Sequence, residues 1–365
     1  MSLKVNGVDL ISSSTASLNL PLGTTLERPA TPINGMIRYN TEKNKVEVYA
    51  NGNWRSLNST IMPNQSSIGP GASTIYSWGL NNYGESLLLP TTSLYVVPSL
   101  SIETFNFKKI VTSIEGDSTF VIRADNTLWA VGNNSHGQLG LGDTVDRSSL
   151  TQVGNSKWND ISCYSTHTAG VRTDGTLWTW GKNDLGQLAQ GDLVNYSSPN
   201  QVGTLAVWST VACGNSHTVA IKTDGKLWVS GDNTNGQLGI GSTTSTQIMI
   251  QSTTTVTTAW GKVYCGKNSS YAVNNDGYIY SWGDNTSGQL GLNTTTAFYT
   301  VPTKITTLTN MSAGSISVGK SHVLAVTPNN YLYTWGSNPV AHWCYFPMCT
   351  SNYTELLQEH VIYQH

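Results

Sequence analysis

One motif recurs along most of this chain and constrains its fold more than any other feature. A glycine of this motif stands at 79, 132, 181, 231, 283 and 336, so successive copies are 53, 49, 50, 52 and 53 residues apart. Spacing this regular is typical of repeat architectures, in which each copy folds as one unit and packs on its neighbours. We therefore expect a series of similar structural units.

Each copy combines a β-hairpin pattern with a glycine-rich loop. In one copy, the alternating segment HTVAIKT leads to Asp224-Gly225 and then to KLWVSG. Asp-Gly supplies the positive φ of a tight turn between antiparallel strands, and Asp174-Gly175 and Asp276-Gly277 repeat it. The loop reads Gly-x-Asn-x-x-Gly-Gln-Leu, with residues that tolerate unusual φ values. Its leucine is predicted to pack between units, at Leu139, Leu188, Leu238 and Leu290.

These hairpins and loops resemble the repeats of the RCC1 family over roughly residues 73–338. The resemblance implies an all-β fold, an RCC1-like β-propeller of four-stranded blades around a central channel. Five complete hairpins and a lone strand at Thr74–Trp78 indicate six blades, with seven as the alternative. Glu359–Tyr363 is the candidate strand that pairs with the lone one and closes the ring, because an unpaired edge favours aggregation.

A different pattern precedes the repeats. The segment from Pro29 to Leu57 contains two short β-like runs and the turn signals Asn44-Lys45 and Asn51-Gly52, which predict a small β-meander. Its Gly-x-Ile-Arg-Tyr-Asn start and Glu-x-Tyr-x-x-Gly-x-Trp end resemble a short module of tail-fibre and other virion proteins of tailed bacteriophages. This resemblance implies virion attachment and trimer formation. We expect an attachment module at 1–57, a linker at 58–72 and the propeller at 73–365.

Composition limits the classes of partner. The chain has 19 Lys and Arg residues against 21 Asp and Glu residues, so it lacks the basic surplus of nucleic-acid-binding proteins. No apolar run reaches transmembrane length, and the first residues have no signal-peptide pattern. No nucleotide motif, carboxylate pair or Ser-His-Asp arrangement stands out. We therefore expect no enzymatic activity, no catalytic residue, no cofactor, no nucleic acid and no membrane insertion.

Histidines, cysteines and tryptophans recur at fixed repeat positions. His167, His217 and His322 either converge on a metal ion or each form a local hydrogen bond within its blade. The hydrogen bond is the preferred interpretation, and no metal site is predicted. Cys163, Cys213 and Cys265 are expected to be small buried apolar residues, and the recurring tryptophans to pack between blades.

The candidate binding residues are the two positions that vary inside each glycine-rich loop. The rest of the motif repeats while these differ, and loops on a rigid scaffold are common recognition sites. Drift at unconstrained surface positions is the alternative explanation. The residues are Asn82, Tyr83, Ser135, His136, Asp184, Leu185, Thr234, Asn235, Thr286 and Ser287.

The two resemblances together predict a bacteriophage virion structural protein. Residues 1–60 would bind other virion proteins as a trimer, and the propeller would lie on the exposed surface of the particle. Its role would be that of a tail fibre or adhesin that binds a host surface receptor, or of a decoration protein. The alternatives are an RCC1-type cellular regulator that acts as a GTPase exchange factor, and a protein-based enzyme inhibitor.

Overall fold

The computed structural model describes the backbone of residues 4–5, 8–9, 22–23, 37–40, 45–50, 53–56, 76–87, 94–100, 106–252, 256–294, 296–308, 311, 314–329, 331–337 and 353–360. Side chains are described for residues 77 and 81–87 and for those of these ranges that lie between 106 and 337. All regular elements in these ranges are strands. They include no helix that is long and apolar enough to cross a membrane.

The strands are numbered here in chain order. They are β1 (Lys4–Val5), β2 (Val8–Asp9), β3 (Leu22–Gly23), β4 (Ile37–Asn40), β5 (Lys45–Ala50), β6 (Asn53–Ser56), β7 (Tyr76–Leu80), β8 (Leu94–Leu100), β9 (Phe107–Thr112), β10 (Ser118–Arg123), β11 (Thr127–Gly132), β12 (Arg147–Cys163), β13 (His167–Arg172), β14 (Leu177–Gly181), β15 (Tyr196–Gln201), β16 (Trp208–Cys213), β17 (His217–Lys222), β18 (Leu227–Gly231), β19 (Thr246–Gln251), β20 (Trp260–Cys265), β21 (Ser269–Asn274), β22 (Ile279–Asp284), β23 (Phe298–Lys304), β24 (Ser315–Val318), β25 (His322–Val326), β26 (Tyr331–Gly336) and β27 (Tyr353–His360).

The chain divides into two compact units, of which the first comprises residues 1–80 and 92–105. This unit contains the antiparallel pair β1–β2, a sheet in the order β3-β4-β5-β6, and the pair β7–β8. Strand β5 pairs antiparallel with β6, and Ala50 lies opposite Asn53; the predicted turn at Asn51-Gly52 lies outside the described residues. Strands β4 to β6 confirm the predicted β-meander, to which β3 adds a parallel strand.

The second unit comprises residues 81–91 and 106–365 and contains five antiparallel four-stranded blades. Strand β12 is shared between two of them. Its first part is the outer strand of blade 1, next to β11, and its last part is the inner strand of blade 2, next to β13. Blade 1 is thus β9–β12, blade 2 is β12–β15, blade 3 is β16–β19, blade 4 is β20–β23 and blade 5 is β24–β27. These five blades agree with the predicted RCC1-like propeller, for which six copies of the motif indicated six blades.

Neighbouring blades share hydrophobic cores. Leu238, from the loop of blade 3, is fully buried in one cluster with Val229 of its own blade and Trp260 and Trp282 of blade 4. Burial of each large apolar side chain of this kind contributes about 1.5–3 kcal/mol. The loop leucines therefore hold adjacent blades together, as the motif predicts.

The last strand of the chain does not occupy its predicted place. Strand β27 pairs with β26, with Glu359 opposite Leu332 and His360 opposite Tyr331. The strand that begins the repeat series, β7, pairs with β8. The prediction that Glu359–Tyr363 pairs with the strand at Thr74–Trp78 is therefore wrong for residues 359–360 and 76–78, and its remaining residues lie outside the described part of the chain. The tail completes the outer edge of its own blade, because the preceding strand β26 offers the nearest free edge.

Candidate functional site

Each glycine-rich loop is held in shape by the side chain of its asparagine. In blade 2, the Asn183 Oδ1 accepts a hydrogen bond from the Leu188 N–H at 2.9 Å, and its Nδ2 donates to the Asp192 carbonyl at 2.9 Å. Asn183 is fully buried, so these bonds are shielded from water. We call these segments the clasp loops; they comprise residues 81–87, 133–140, 182–189, 232–239 and 284–291.

The glutamine of the motif fixes the same loop from the other side. The Gln187 Oε1 accepts a hydrogen bond from the Leu185 N–H at 2.9 Å. The Oε1 atoms of Gln138, Gln237 and Gln289 likewise accept from the backbone N–H of the residue two positions earlier. In the first clasp loop, Glu85 takes this place and accepts from the Tyr83 N–H at 2.8 Å. The backbone of every clasp loop is therefore set by buried or half-buried side chains.

The clasp loops also bind the next blade, through the carbonyl of the same glutamine. The Gln138 carbonyl of blade 1 accepts from the Trp180 Nε1 at 2.7 Å and from the Thr168 Oγ1 at 2.9 Å, both in blade 2. The Gln237 carbonyl accepts from Trp282 and Ser270 of blade 4 in the same way. The glutamine at this motif position thus forms the same hydrogen-bonded joint between neighbouring blades in different repeats.

The histidines extend this joint. The His167 Nε2 lies 3.0 Å from the Thr218 Oγ1 of the next blade, and that hydroxyl donates to the Gln187 carbonyl at 2.8 Å. Because a hydroxyl has one proton, Thr218 must accept from His167, so the imidazole carries its proton on Nε2. Burial lowers the pKa of His167 to about 3, and the ring is neutral.

This geometry corrects one detail of the sequence interpretation. The histidine hydrogen bond does not fix a hairpin within its own blade, because it crosses to the next one; His217 makes the equivalent bond to Ser270 at 2.9 Å. The described residues contain no group of three or more His, Cys, Asp or Glu side chains placed to hold a metal ion. The sequence could not show the crossing because the partner hydroxyl lies about one repeat away.

The ten candidate binding residues lie at the tips of the clasp loops. The first of each pair is exposed, whereas Tyr83, His136, Asn235 and Ser287 are half-buried, and Leu185 is exposed over 43% of its surface. Each pair lies between the buried Asn and the buried Gly of its loop. We call these residues the clasp tips. Their role in binding stays a prediction.

The clasp tips share one side of the second unit with the turns between the first two strands of each blade. Backbone bonds show this: the Lys182 N–H donates to the Thr166 carbonyl at 2.9 Å, and the Asp232 N–H donates to the Ser216 carbonyl at 2.8 Å. We call this the clasp side. The opposite, hairpin side carries turns such as Asp174-Gly175, where Gly175 has a φ of 82°.

Charge is divided unevenly between these two sides. The clasp side has nine carboxylates and four cations, and the hairpin side has five carboxylates and nine cations, among the described side chains. The clasp-side residues are Glu85, Glu115, Asp117, Asp143, Asp146, Asp184, Asp192, Asp232 and Asp284 with Arg147, Lys182, Lys267 and Lys320. The hairpin-side residues are Asp125, Asp160, Asp174, Asp224 and Asp276 with Lys108, Lys109, Arg123, Lys157, Arg172, Lys222, Lys226, Lys262 and Lys304. The clasp side is therefore acidic and the hairpin side basic, although the whole chain is nearly neutral.

Several hairpin-side cations lie over aromatic rings. The Arg172 guanidinium lies 3.4 Å from the centroid of Trp178, and the Lys222 ammonium lies 3.5 Å from that of Trp228. Cation–π contacts of this kind contribute about 0.5–1 kcal/mol at exposed sites. The rings are thereby covered. Trp178 and Trp228 also pack against hydrophobic clusters shared by neighbouring blades, which agrees with the predicted packing between blades.

One of these tryptophans lacks a hydrogen bond that its equivalents make. The Trp129 and Trp178 Nε1 atoms donate to the threonine two residues earlier, at 3.0 and 2.8 Å. In blade 3 that position is Lys226, and the buried Trp228 Nε1 has no partner. We expect Lys226→Thr to raise the free energy of unfolding by about 1 kcal/mol, because it supplies the missing acceptor. Urea denaturation at neutral pH measures this.

Lys226→Val is the matched control for this substitution. Valine has nearly the shape of threonine but no hydroxyl, and it removes the same exposed Lys226–Asp224 ion pair. Equal stabilities of the Thr and Val variants would show that the added hydroxyl does not pair with Trp228.

The inner strands of all five blades line one cavity of about 500 Å³. Cys163, Cys213 and Cys265 lie along its wall, buried and without disulfides. Burial raises the pKa of the Cys213 thiol to about 12 and raises the pKa values of the other two as well, so the thiols are neutral. Their neutrality and burial agree with the prediction of small apolar residues.

Sequence reasoning missed the polar residues of this cavity. Lys109, Asp160, Thr210 and Lys262 lie at equivalent places on the inner strands of blades 1 to 4. Each stands two positions after an aromatic residue, which is Phe107, Trp158, Trp208 or Trp260. That spacing was available as a signal, but only the topology shows that the four positions face a common space.

Comparison with known families gives one match that covers most of the chain. The model of the RCC1-like domain, WD40_RLD, matches residues 75–343. These residues include all the clasp loops and most of the five blades, so the match covers the candidate site. It begins after the N-terminal meander and leaves that segment untested.

Solved structures and individual proteins are similar over different lengths. Human WBSCR16 has a TM-score of 0.66 at 18% identity, with 80% of each chain covered. Prp20p of Saccharomyces cerevisiae has a TM-score of 0.65 at 17% identity, with 80% of this chain and 75% of that chain covered. Human HERC6 is 36% identical over 76 residues, and Arabidopsis thaliana UVR8 is 37% identical over 75. These segments span 21% and 20% of this chain but only 7% and 17% of those proteins.

Proposed function

The chain belongs to the RCC1-like domain family, and we propose that it is a non-enzymatic module that binds a partner protein through its clasp tips. One contrast carries this proposal: Asn183 and Gln187 are buried and bonded, whereas Asp184 and Leu185 between them are exposed. A loop with a fixed backbone, whose exposed side chains differ from one repeat to the next, is a common arrangement of a recognition surface. Because the clasp side is acidic, its partner is expected to present a basic surface.

A regulatory role is the first candidate for this module. HERC6 is named as a probable E3 ubiquitin-protein ligase, UVR8 as an ultraviolet-B receptor, and Prp20p is described with binding properties to Gsp1p and histones. For this chain, such a role means that the clasp side engages a small GTPase or another regulated protein. Release of a fluorescent guanine nucleotide from a small GTPase of the source cells tests the exchange-factor version. Faster release in the presence of the chain supports it, and unchanged release contradicts it for this GTPase.

A virion protein is the second candidate, favoured by the N-terminal meander. The residues that resemble the phage module lie largely on strands β4, β5 and β6, which form a small antiparallel meander. In this role residues 1–60 form a trimer that attaches the chain to the particle, and the clasp tips face a host surface. Light scattering of the full-length chain distinguishes the candidates. The mass of a trimer supports the virion role, and that of a monomer favours the regulator.

Substitution of three clasp tips tests the binding surface. We expect Tyr83→Ala, His136→Ala and Leu185→Ala together to weaken partner binding by about a hundredfold, because aromatic and apolar anchors dominate interface energies. The partner is captured on the full-length chain from an extract of the source cells and identified by mass spectrometry. Its affinity is then measured by surface plasmon resonance.

Three exposed residues of the hairpin side provide the control. Thr223→Ala, Lys226→Ala and Asn275→Ala together remove as many side chains without touching a clasp loop. We expect this variant to bind with unchanged affinity. Loss of binding in the control, with normal binding by the tip variant, would place the partner on the hairpin side and overturn the proposal.

A further inference from the structure

We propose that the cavity between the five blades is a binding site for a small organic anion, with Lys262 as its main cationic partner. The cavity is separate from the clasp tips, and this proposal does not depend on the partner protein. Its volume of about 500 Å³ is within the range of small-molecule sites, roughly 300–1,000 Å³. The argument rests on the charges and hydrogen bonds of the side chains that line it.

Lys262 is a cation without a carboxylate partner. Its ammonium donates to the Gly314 carbonyl at 3.2 Å, and no described carboxylate pairs with it. An ammonium has three protons to donate, so this bond leaves two for another acceptor. A half-buried cation with spare donors at the wall of a cavity is suited to an anionic ligand.

The single carboxylate on this wall is already satisfied by other groups. The Asp160 carboxylate accepts from the Lys109 Nζ at 2.5 Å, the Thr210 Oγ1 at 2.7 Å and the Val211 N–H at 3.1 Å. The Asp160 side chain is only 13% exposed, so its carboxylate has little free surface to pair with Lys262. The Lys109 ammonium offsets the charge of the Asp160 carboxylate, so Lys262 remains as the uncompensated charge among the described side chains of this wall.

Hydroxyl groups and apolar side chains complete the lining. The Ser162 oxygen accepts from the Cys213 N–H at 3.0 Å, which leaves its own proton available as a donor. Ser317 is exposed on the inner strand of blade 5. Val211, Val263 and other apolar residues lie between these polar groups. This mixture fits an organic anion that has both charged oxygens and a small apolar body.

The field of the surrounding residues favours entry of an anion from one side. Lys262 and Lys109 lie in the half of the inner strands that adjoins the hairpin side, and apart from them and Asp160 that side has seven cations and four carboxylates among the described residues. Concave sites lined by one sign of charge raise the local concentration of the opposite ion. The hairpin side therefore steers anions towards this end of the cavity.

Isothermal titration calorimetry of the full chain with citrate and, separately, inorganic phosphate tests the site. We expect one anion to bind per chain, and Lys262→Gln to weaken its binding by about tenfold or more, as expected for loss of a charge-assisted hydrogen bond. Lys157→Gln, which removes an exposed hairpin-side cation, is the matched control and should bind as the unaltered chain does. Stronger binding of citrate indicates a carboxylate ligand, and stronger binding of phosphate a phosphorylated one.

Lysine labelling of the unaltered chain keeps the test valid if the Lys262→Gln variant does not fold. With trace acetic anhydride, the bound anion should slow acetylation of Lys262 and leave that of Lys157 unchanged, as measured by mass spectrometry. Absence of binding by both anions at millimolar concentration overturns the proposal. Equal weakening by Lys262→Gln and Lys157→Gln, or equal protection of both lysines, also overturns it, because general surface charge then explains the result.

Discussion

Gly231→Ala is expected to destabilise the propeller by about 4 kcal/mol, combining roughly 1–3 kcal/mol of backbone strain with a similar cost of overpacking. Gly231 ends strand β18 with a φ of 106°, which side chains rarely adopt. A Cβ there would overlap the Ser216 carbonyl oxygen and lie 2.8 Å from the His217 Cα, and neither backbone atom can move aside. The midpoint of urea denaturation, measured by tryptophan fluorescence, gives the loss.

Gly203→Ala is the control for this substitution. Gly203 also has a positive φ, 62°, but a Cβ there would meet nothing within 4 Å. We therefore expect a loss of only about 1 kcal/mol, the cost of the left-handed conformation. Equal losses in the two variants would contradict the close packing between the clasp loop and the turn beside it.

Acid is expected to destabilise the protein well before its carboxylates are protonated. Burial lowers the pKa of both His167 and His217 from 6.5 to about 3, so the folded chain resists protonation that the unfolded chain accepts. The stability from these neutral rings is complete above pH 6.5 and is lost as the pH falls towards 3. At pH 4.5 the loss is roughly 3 kcal/mol for each histidine. Urea denaturation midpoints between pH 7.5 and 4.5 measure it.

His217→Gln isolates one of the two rings. The Gln amide can still donate to Ser270 but cannot take up a proton in this pH range. We expect the stability of this variant to depend on pH more weakly, by about one proton, so that between pH 7.5 and 4.5 it gains roughly 3 kcal/mol relative to the unaltered chain. A pH dependence identical to that of the unaltered chain would show that His217 is not the buried neutral ring described here.

The hairpins and clasp loops could be predicted because their determinants are local. Asp224-Gly225 and the spacing from Asn183 to Leu188 are read within one copy of the motif, and the structure confirms both. The joint between His167 and Thr218 could not be predicted, since its partners lie in different copies. The place of the tail strand was also missed, because the sequence does not show which strand edges are free in the fold, and β27 pairs with β26 rather than with β7.

The candidate site was predictable in part for the same reason. The variable positions of the motif identified the clasp tips, and the structure places all ten on one side of the second unit. The acidic character of that side depends on which end of each strand a charge occupies. The net charge of −2 does not reveal this acidic side, because the positive charge of the hairpin side nearly cancels its negative charge. The cavity residue Lys262 required both the topology and the hydrogen bonds of Asp160.

Photocrosslinking in the cells of origin is the most direct test of binding through the clasp tips. A benzophenone amino acid replaces Leu185 at a clasp tip in one full-length variant, and Asp224 in a hairpin-side turn in another. The account predicts a covalent adduct with one partner protein from the Leu185 position and none from the Asp224 position. An adduct from the Asp224 position alone would contradict it and assign recognition to the basic side of the propeller.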